Sequence, residues 1–181
     1  ELRRKNPCLS IEIHSLTSDE ILKKLEKCTL DAGLMPIENS DDSFTDFLYE
    51  EHYVLIAPQT LVKTRKSHLK WEDAARLPLC LLTNERQIKQ RIFDIFAEVN
   101  INPNVVVEAN DLAAVMAQVT NGNAATILPF SSANYLTEMN SLITFNLIEP
   151  VVTEKIGLML NDQSALRPIA LELKEIINKM L

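Results

Sequence analysis

Strand-like and helix-like segments alternate along this chain, and that alternation constrains its fold more than any other feature. Residues 9–14 alternate apolar and polar side chains as a half-buried strand does, and Thr17 begins a predicted helix, with Glu20 at capping-box spacing. Residues 30–35 are predicted to form the next strand. A strand, a helix and a strand in succession predict parallel strands joined by a right-handed crossover, and therefore an α/β fold.

The rest of the chain continues this alternation. Further strands are predicted at residues 44–51, 52–57, 77–82, 105–108, 125–128 and 151–160, and further helices at residues 67–76, 84–99, 111–120 and 167–181. Because the middle section has βαβ units of its own, the chain is expected to leave a first lobe and return to it, with connections near residues 58–61 and 142–150. The expected lobes are residues 1–58 with 147–181, and residues 59–146.

Charge and hydropathy exclude several classes of protein. The 181 residues carry a net charge of −7, from 18 basic and 25 acidic side chains. A nucleic-acid surface needs clustered Lys and Arg to neutralise phosphates, so this chain is not expected to bind nucleic acid by itself. It has no apolar run of the roughly 18 residues that a membrane-spanning helix needs and no signal peptide at its start. A cytoplasmic location without membrane contact is therefore expected.

Reactive side chains form no motif that predicts catalysis, a metal site or a cofactor site. Cys8, Cys28 and Cys80 are widely spaced with no CxxC pair, so they are predicted to be small buried apolar residues. The three histidines have no metal-ligand spacing. There is no GxSxG or HExxH motif, and three glycines in all leave no phosphate-binding loop. No enzyme activity, metal or cofactor is expected.

Four segments, in their order and spacing, resemble the effector-binding regulatory domain of LysR-type transcriptional regulators. Residues 6–13 resemble the family's "YPgvxlel" segment, and residues 30–34 resemble its "lDlgi" strand. Residues 50–58 resemble the stretch that leads into its second lobe, and residues 119–129 resemble "VaaGlGiallP". One departure is Ala124, which stands where the family has its second glycine. The other is that the chain starts within what would be the family's first regulatory helix, after the winged helix-turn-helix head.

This resemblance implies a fold of the periplasmic-binding-protein type, in which two Rossmann-like lobes hold a small-molecule effector in the cleft between them. It implies a homodimer or higher homo-oligomer that contacts DNA only through the head that this chain lacks. Effector binding would shift the population of lobe arrangements and so act allosterically on that head. The alternative is a solute-binding protein of a transport system with the same fold.

The expected effector site lies at strand-to-helix turns, because ligands of open α/β sheets bind beyond the carboxyl ends of the strands. Helix N-termini there favour anions, so a small anionic effector is expected. The resemblance implies that the Thr17 hydroxyl contacts the effector, while a helix cap is the competing role. Asp111 is more simply a residue that complements a helix dipole, and Pro129 a turn residue. The predicted site residues are Ser15, Leu16, Thr17, Thr83, Asn84, Asn110, Asp111 and Pro129.

Overall fold

The computed structural model describes residues 1–37, 45–64, 66–83, 86–134, 142–161 and 168–180. The chain divides into two compact units: unit 1 comprises Glu1–Glu50 and Glu154–Leu181, and unit 2 comprises Glu51–Thr153. The lobe boundaries expected from the sequence stay a prediction.

Helices and strands alternate in both units. In chain order they are α1 (Leu2–Lys5), α2 (Ser18–Glu26), β1 (Ala32–Pro36), β2 (Thr45–Pro58), β3 (His68–Lys70), α3 (Trp71–Ala75), β4 (Leu79–Leu82), α4 (Arg86–Glu98), β5 (Val105–Ala109), α5 (Leu112–Thr120), β6 (Thr126–Pro129), α6 (Phe130–Asn134), β7 (Leu142–Ile148), β8 (Thr153–Leu160) and α7 (Pro168–Met180).

Unit 1 is a sheet with helices packed against it. Its strands follow the order β1, β8, β2, and β1 pairs with β8 in antiparallel register. The apolar side of α2 covers β1 through Ile21, Leu25 and Met35. On α7, Ala170 packs with Leu158 of β8. The core of unit 1 therefore lies between its sheet and the apolar faces of these two helices.

The segment of residues 9–14 is not a strand, contrary to its alternating pattern. It has no regular structure, and its apolar side chains are exposed, with Ile11 at 49% and Ile13 at 90%. A strand forms only where a neighbouring strand satisfies its backbone groups, and no strand of the described residues pairs with this segment. The predicted parallel pair at the start of the chain is therefore wrong, and β1 instead pairs with β8, far along the chain.

Unit 2 combines antiparallel and parallel pairing. Strand β2 pairs in antiparallel fashion with β6 and β7, and β7 is parallel to β3. Strand β4 is parallel to β5, and a parallel bridge between Leu79 and Ala125 connects β4 with the start of β6. One apolar cluster contains Trp71, Phe96 and Phe145, and a second contains Ile56 and Leu128 among its buried side chains.

Three further predictions need correction. The two strand-like runs from residue 44 to residue 57 are one continuous strand, β2, because Glu51 and His52 stay within the ladder instead of forming a turn. Within the predicted helix of residues 67–76, only Trp71–Ala75 is helical, since His68–Lys70 is taken up by pairing with β7. The apolar run of residues 105–108, typical of a fully buried strand, instead alternates half-buried and exposed side chains in β5, with Val106 at 51%, as a strand covered on one face does.

The cysteines also depart from the prediction that all three are buried. Cys80 is fully buried in β4, but Cys8 and Cys28 are exposed. Desolvation by burial raises the pKa of the Cys80 thiol, so less of its reactive thiolate forms near neutral pH. The thiols therefore belong to two classes of different reactivity.

Two of the three thiols are expected to react rapidly with 5,5′-dithiobis(2-nitrobenzoate) in the native protein. Cys80 is expected to react only as unit 2 unfolds, and all three thiols are expected to react in denaturant. The measurement is the absorbance of released thionitrobenzoate against time, with Cys80→Ala as the control. Three equal rates in the native protein would contradict the burial of Cys80.

Candidate functional site

Three strands of unit 2 end at one edge of the unit and bring four of the predicted site residues there. Strands β4, β5 and β6 run in the same direction, so their carboxyl ends lie together. Thr83 directly follows β4, Asn110 and Asp111 follow β5, and Pro129 ends β6. This edge, which we call the unit 2 edge, is where a ligand of an open α/β sheet is expected to bind.

Thr83 joins the ends of β4 and β5. Its backbone N–H and its hydroxyl both donate to the carbonyl oxygen of Ala109, at 2.8 and 3.1 Å. The hydroxyl oxygen retains lone pairs but has no further proton to donate. Thr83 therefore fixes the geometry of this turn, and a ligand would meet it as a hydrogen-bond acceptor.

Asp111 caps helix α5, so the helix cap that the sequence suggested at Asn110 lies one residue later. Its Oδ1 accepts a hydrogen bond from the backbone N–H of Ala114 at 3.1 Å. The carboxylate also complements the positive end of the helix dipole. Asn110, the preceding residue, is exposed, and Asn84 lies outside the described residues.

Replacing Asp111 with alanine is expected to lower the free energy of unfolding by about 0.5–2 kcal/mol, because the cap at Ala114 is lost. Asp111→Asn keeps a capping oxygen and is expected to cost less than about 0.5 kcal/mol. Urea unfolding followed by circular dichroism measures both variants. Equal losses for the two variants would show that the carboxylate charge, and not the cap, matters here.

Residues 129–131 are held by three consecutive residues of β2. Pro129 is paired with Tyr53, the Phe130 ring stacks on the His52 ring, and the Ser131 N–H donates to Glu51 Oε2 at 3.3 Å. The Glu51 side chain is largely buried at this junction. The end of β6 is therefore fixed at successive positions, and we call this arrangement the β2 clasp.

Unit 1 contains the other three predicted site residues, Ser15, Leu16 and Thr17. Ser15 is exposed, and Leu16 packs against the cluster of α2 and β1. Thr17 forms the predicted capping box: its hydroxyl accepts from the Glu20 N–H at 3.4 Å, and its own N–H donates to Glu20 Oε2 at 2.9 Å. The Thr17 hydroxyl also donates to that carboxylate at 2.9 Å. The cap is confirmed, and contact between Thr17 and an effector stays a prediction.

These hydrogen bonds from Thr17, first from its backbone N–H and then from its hydroxyl, lower the pKa of Glu20. A carboxyl with a lowered folded-state pKa stabilises the fold at pH values above its ordinary pKa. This contribution is lost as the pH falls through the lowered pKa. The capping box at the start of α2 is therefore expected to weaken in acid.

Acidic groups at the helix starts determine where an anion fits. Helix α2 has Asp19 and Glu20 in its first turn, and α5 has Asp111 as its cap. The first turn of α4, which begins at Arg86, contains no acidic residue, although Glu85 precedes it outside the described residues. Of these three helix starts, α4 is the one whose described first turn contains no acidic residue.

Sequence reasoning missed Glu51, His52, Phe130 and Asn146. The His52 Nε2 lies 3.0 Å from Asn146 Oδ1, and the His52 and Phe130 ring centroids lie 5.0 Å apart. These residues lie far apart in the sequence, and their arrangement arises because β2 pairs with both β6 and β7. No local sequence pattern predicts a cluster whose members lie so far apart in the sequence.

The groups at the unit 2 edge are suited to binding. Hydroxyl, amide and carboxylate groups lie there with an aromatic ring, and the described residues contain no cluster of His, Cys, Asp or Glu able to hold a metal ion.

No helix in the described part of the chain has the length and apolar character needed to cross a membrane.

Comparison with known proteins identifies the fold. The family model described as "LysR substrate binding domain" matches residues 1–181. CbnR, a LysR family transcriptional regulator, has a TM-score of 0.73 at 16% identity over 98% of this chain and 62% of that chain. HinK, a LysR family regulator from Pseudomonas aeruginosa, has a TM-score of 0.76 at 17% identity over 99% and 62%.

The effector binding domain of BenM with its effector benzoate has a TM-score of 0.74 at 18% identity, over 99% of this chain and 82% of that chain. The chain thus spans 62% of the CbnR and HinK chains and more of the BenM domain. No curated protein sequence matches it. The fold is α/β, of the two-lobed periplasmic-binding-protein type, as the sequence predicted.

Proposed function

Because the chain belongs to the LysR substrate binding domain family, we propose that it is the ligand-sensing regulatory domain of a bacterial LysR-type transcription factor. It binds a small anionic effector between its two lobes and transmits this binding to a DNA-binding head outside this chain. The intact protein acts in the cytoplasm as a homodimer or higher homo-oligomer. The chain itself is not an enzyme, since its family is one of ligand-binding domains. Family membership also disfavours the transport alternative.

The observation that supports this proposal is the convergence of three strand ends at the unit 2 edge. Thr83, Asn110 and Pro129 lie there with the start of α4. A helix N-terminus presents unpaired N–H groups and a partial positive charge, and both stabilise a bound anion. Thr17 and the neighbouring residues of unit 1 are proposed as contacts from the other lobe.

The proposed mechanism is a shift between conformational populations. An effector stabilises one arrangement of the regulatory domain only by its difference in affinity for the two arrangements. Allosteric proteins typically couple their sites by about 1–3 kcal/mol. A coupling of this size changes the ratio of the two arrangements by about 5- to 150-fold.

A thermal-shift screen tests the proposal directly. Small carboxylates, phosphate and sulfate are each compared with a neutral amide or an amine of similar shape. An anion present at 100 times its dissociation constant is expected to add about 2.7 kcal/mol to the free energy of unfolding. Stabilisation by amines alone would contradict the anionic effector, and an absence of stabilising ligands of any charge would contradict the sensing function.

A further inference from the structure

We propose that Phe130 is a wall of the effector site and that the effector carries a planar, unsaturated group that stacks on this ring. This inference rests on the proposed function and adds the shape of the effector to it. It concerns unit 2 alone.

Phe130 is exposed although it is an aromatic residue. Its side chain is 42% exposed, and the two apolar clusters of unit 2 do not include it among the described residues. It therefore contributes little to the core. Single exposed apolar side chains are common on protein surfaces, but this ring is also held in place at the edge where a ligand is expected to bind.

The β2 clasp fixes the backbone on both sides of Phe130. The residue before it, Pro129, is paired with Tyr53, and the N–H of the residue after it, Ser131, is bound to the Glu51 carboxylate. The ring stands directly after the end of β6, at the unit 2 edge. A group held in its binding position before the ligand arrives loses little entropy on binding.

His52 fixes the ring itself. The two ring planes are 18° apart with centroids at 5.0 Å, which is an offset stack. His52 is in turn held by Asn146, whose Oδ1 lies 3.0 Å from Nε2. His52 is thus a positioning residue: it covers one side of the Phe130 ring, and the remaining exposed surface is available to a planar group.

Position and chemistry together define the effector class. We expect an anionic group to bind at the start of α4, which follows β4, and a planar group of the same ligand to contact the Phe130 ring, which follows the adjacent strand β6. Aromatic stacking adds roughly 2- to 13-fold in affinity beyond what buried area alone provides. A planar ligand is therefore expected to bind more tightly than its saturated counterpart by this factor.

The experiment uses matched pairs of carboxylates that differ in ring planarity. The pairs are 2-furoate with tetrahydro-2-furoate, thiophene-2-carboxylate with tetrahydrothiophene-2-carboxylate, and benzoate with cyclohexanecarboxylate, each titrated by calorimetry against the unmodified chain. At least one planar member is expected to bind roughly 2- to 13-fold more tightly than its partner. Phe130→Leu is expected to remove this preference, so that the planar and the saturated acid bind with about equal affinity.

Phe47→Leu is the matched control, because Phe47 has a similar exposed fraction, 49%, and lies in unit 1. It is expected to keep the preference. His52→Ala and Asn146→Ala are expected to reduce the ratio of planar to saturated affinity, whereas a purely structural defect would weaken the binding of both acids by the same factor. The melting temperature of each variant is measured alongside.

The outcomes separate the two proposals. Equal affinities within all pairs, or a preference that survives Phe130→Leu, overturn the role of Phe130 and leave the sensing function intact. If only saturated anions bind, and no planar one does, the role of Phe130 is likewise overturned and the sensing function stays intact. If no anion of any shape binds, both proposals fail.

Discussion

Replacing Trp71 with alanine is expected to lower the free energy of unfolding by about 3–5 kcal/mol. The side chain is fully buried, and its Nε1 donates to the carbonyl oxygen of Pro150 at 3.0 Å. Its ring makes edge contacts with Phe96 at 5.3 Å and with Tyr53 at 6.3 Å between centroids. The substitution therefore leaves a large cavity and an unpaired carbonyl group where α3, α4 and β2 meet.

Trp71→Phe separates these two losses. It keeps an aromatic ring but removes the N–H donor, so it is expected to cost about 1–3 kcal/mol, in large part from the unpaired Pro150 carbonyl. Both variants are measured by urea unfolding with circular dichroism, because Trp71 is the only tryptophan and its fluorescence is lost in either variant. A loss below about 1 kcal/mol for Trp71→Ala would contradict its central place in the unit 2 core.

Gly33→Ala is expected to cost about 1–3 kcal/mol through overpacking. A Cβ added at Gly33 would overlap the Cγ2 atom of Ile21 on α2. That atom belongs to a buried, β-branched side chain, which has little freedom to move away. The close approach of α2 to β1 thus depends on having a glycine, with no Cβ, at residue 33.

Ile21→Leu is the matched partner in a double-mutant cycle, because leucine carries no methyl group at the Cγ2 position. The double variant Gly33→Ala/Ile21→Leu is expected to recover much of the loss, giving a favourable coupling energy. Thermal and urea unfolding of the four proteins measure it. Simple addition of the two single effects would show that the overlap is relieved elsewhere.

Local sequence chemistry predicted the four longer helices, α2, α4, α5 and α7. A helix was predicted at residues 111–120, and α5 spans Leu112–Thr120, followed closely by Gly122 at φ +81°. The capping-box spacing of Thr17 and Glu20 likewise predicted the start of α2. These signals succeed because both partners of each hydrogen bond lie within a few residues of each other.

Strand pairing was predicted less well, because it depends on partners that are distant in the sequence. Residues 9–14 have a strand pattern but no strand beside them, and residues 142–148, expected near a connection between lobes, form β7. The β2 clasp also depends on strand pairing between residues that are distant in the sequence. The contact of His52 with Asn146 spans 94 residues, and no spacing rule reaches that far.

The β2 clasp ties residues 51, 52 and 53 one by one to residues 131, 130 and 129. These two short stretches should therefore change together as the protein diverges. A relative that replaces the aromatic ring at residue 130 no longer needs a flat side chain at residue 52, whereas one that keeps the ring should keep a flat partner there. Coupled variation at these positions would then follow changes in what each relative recognises.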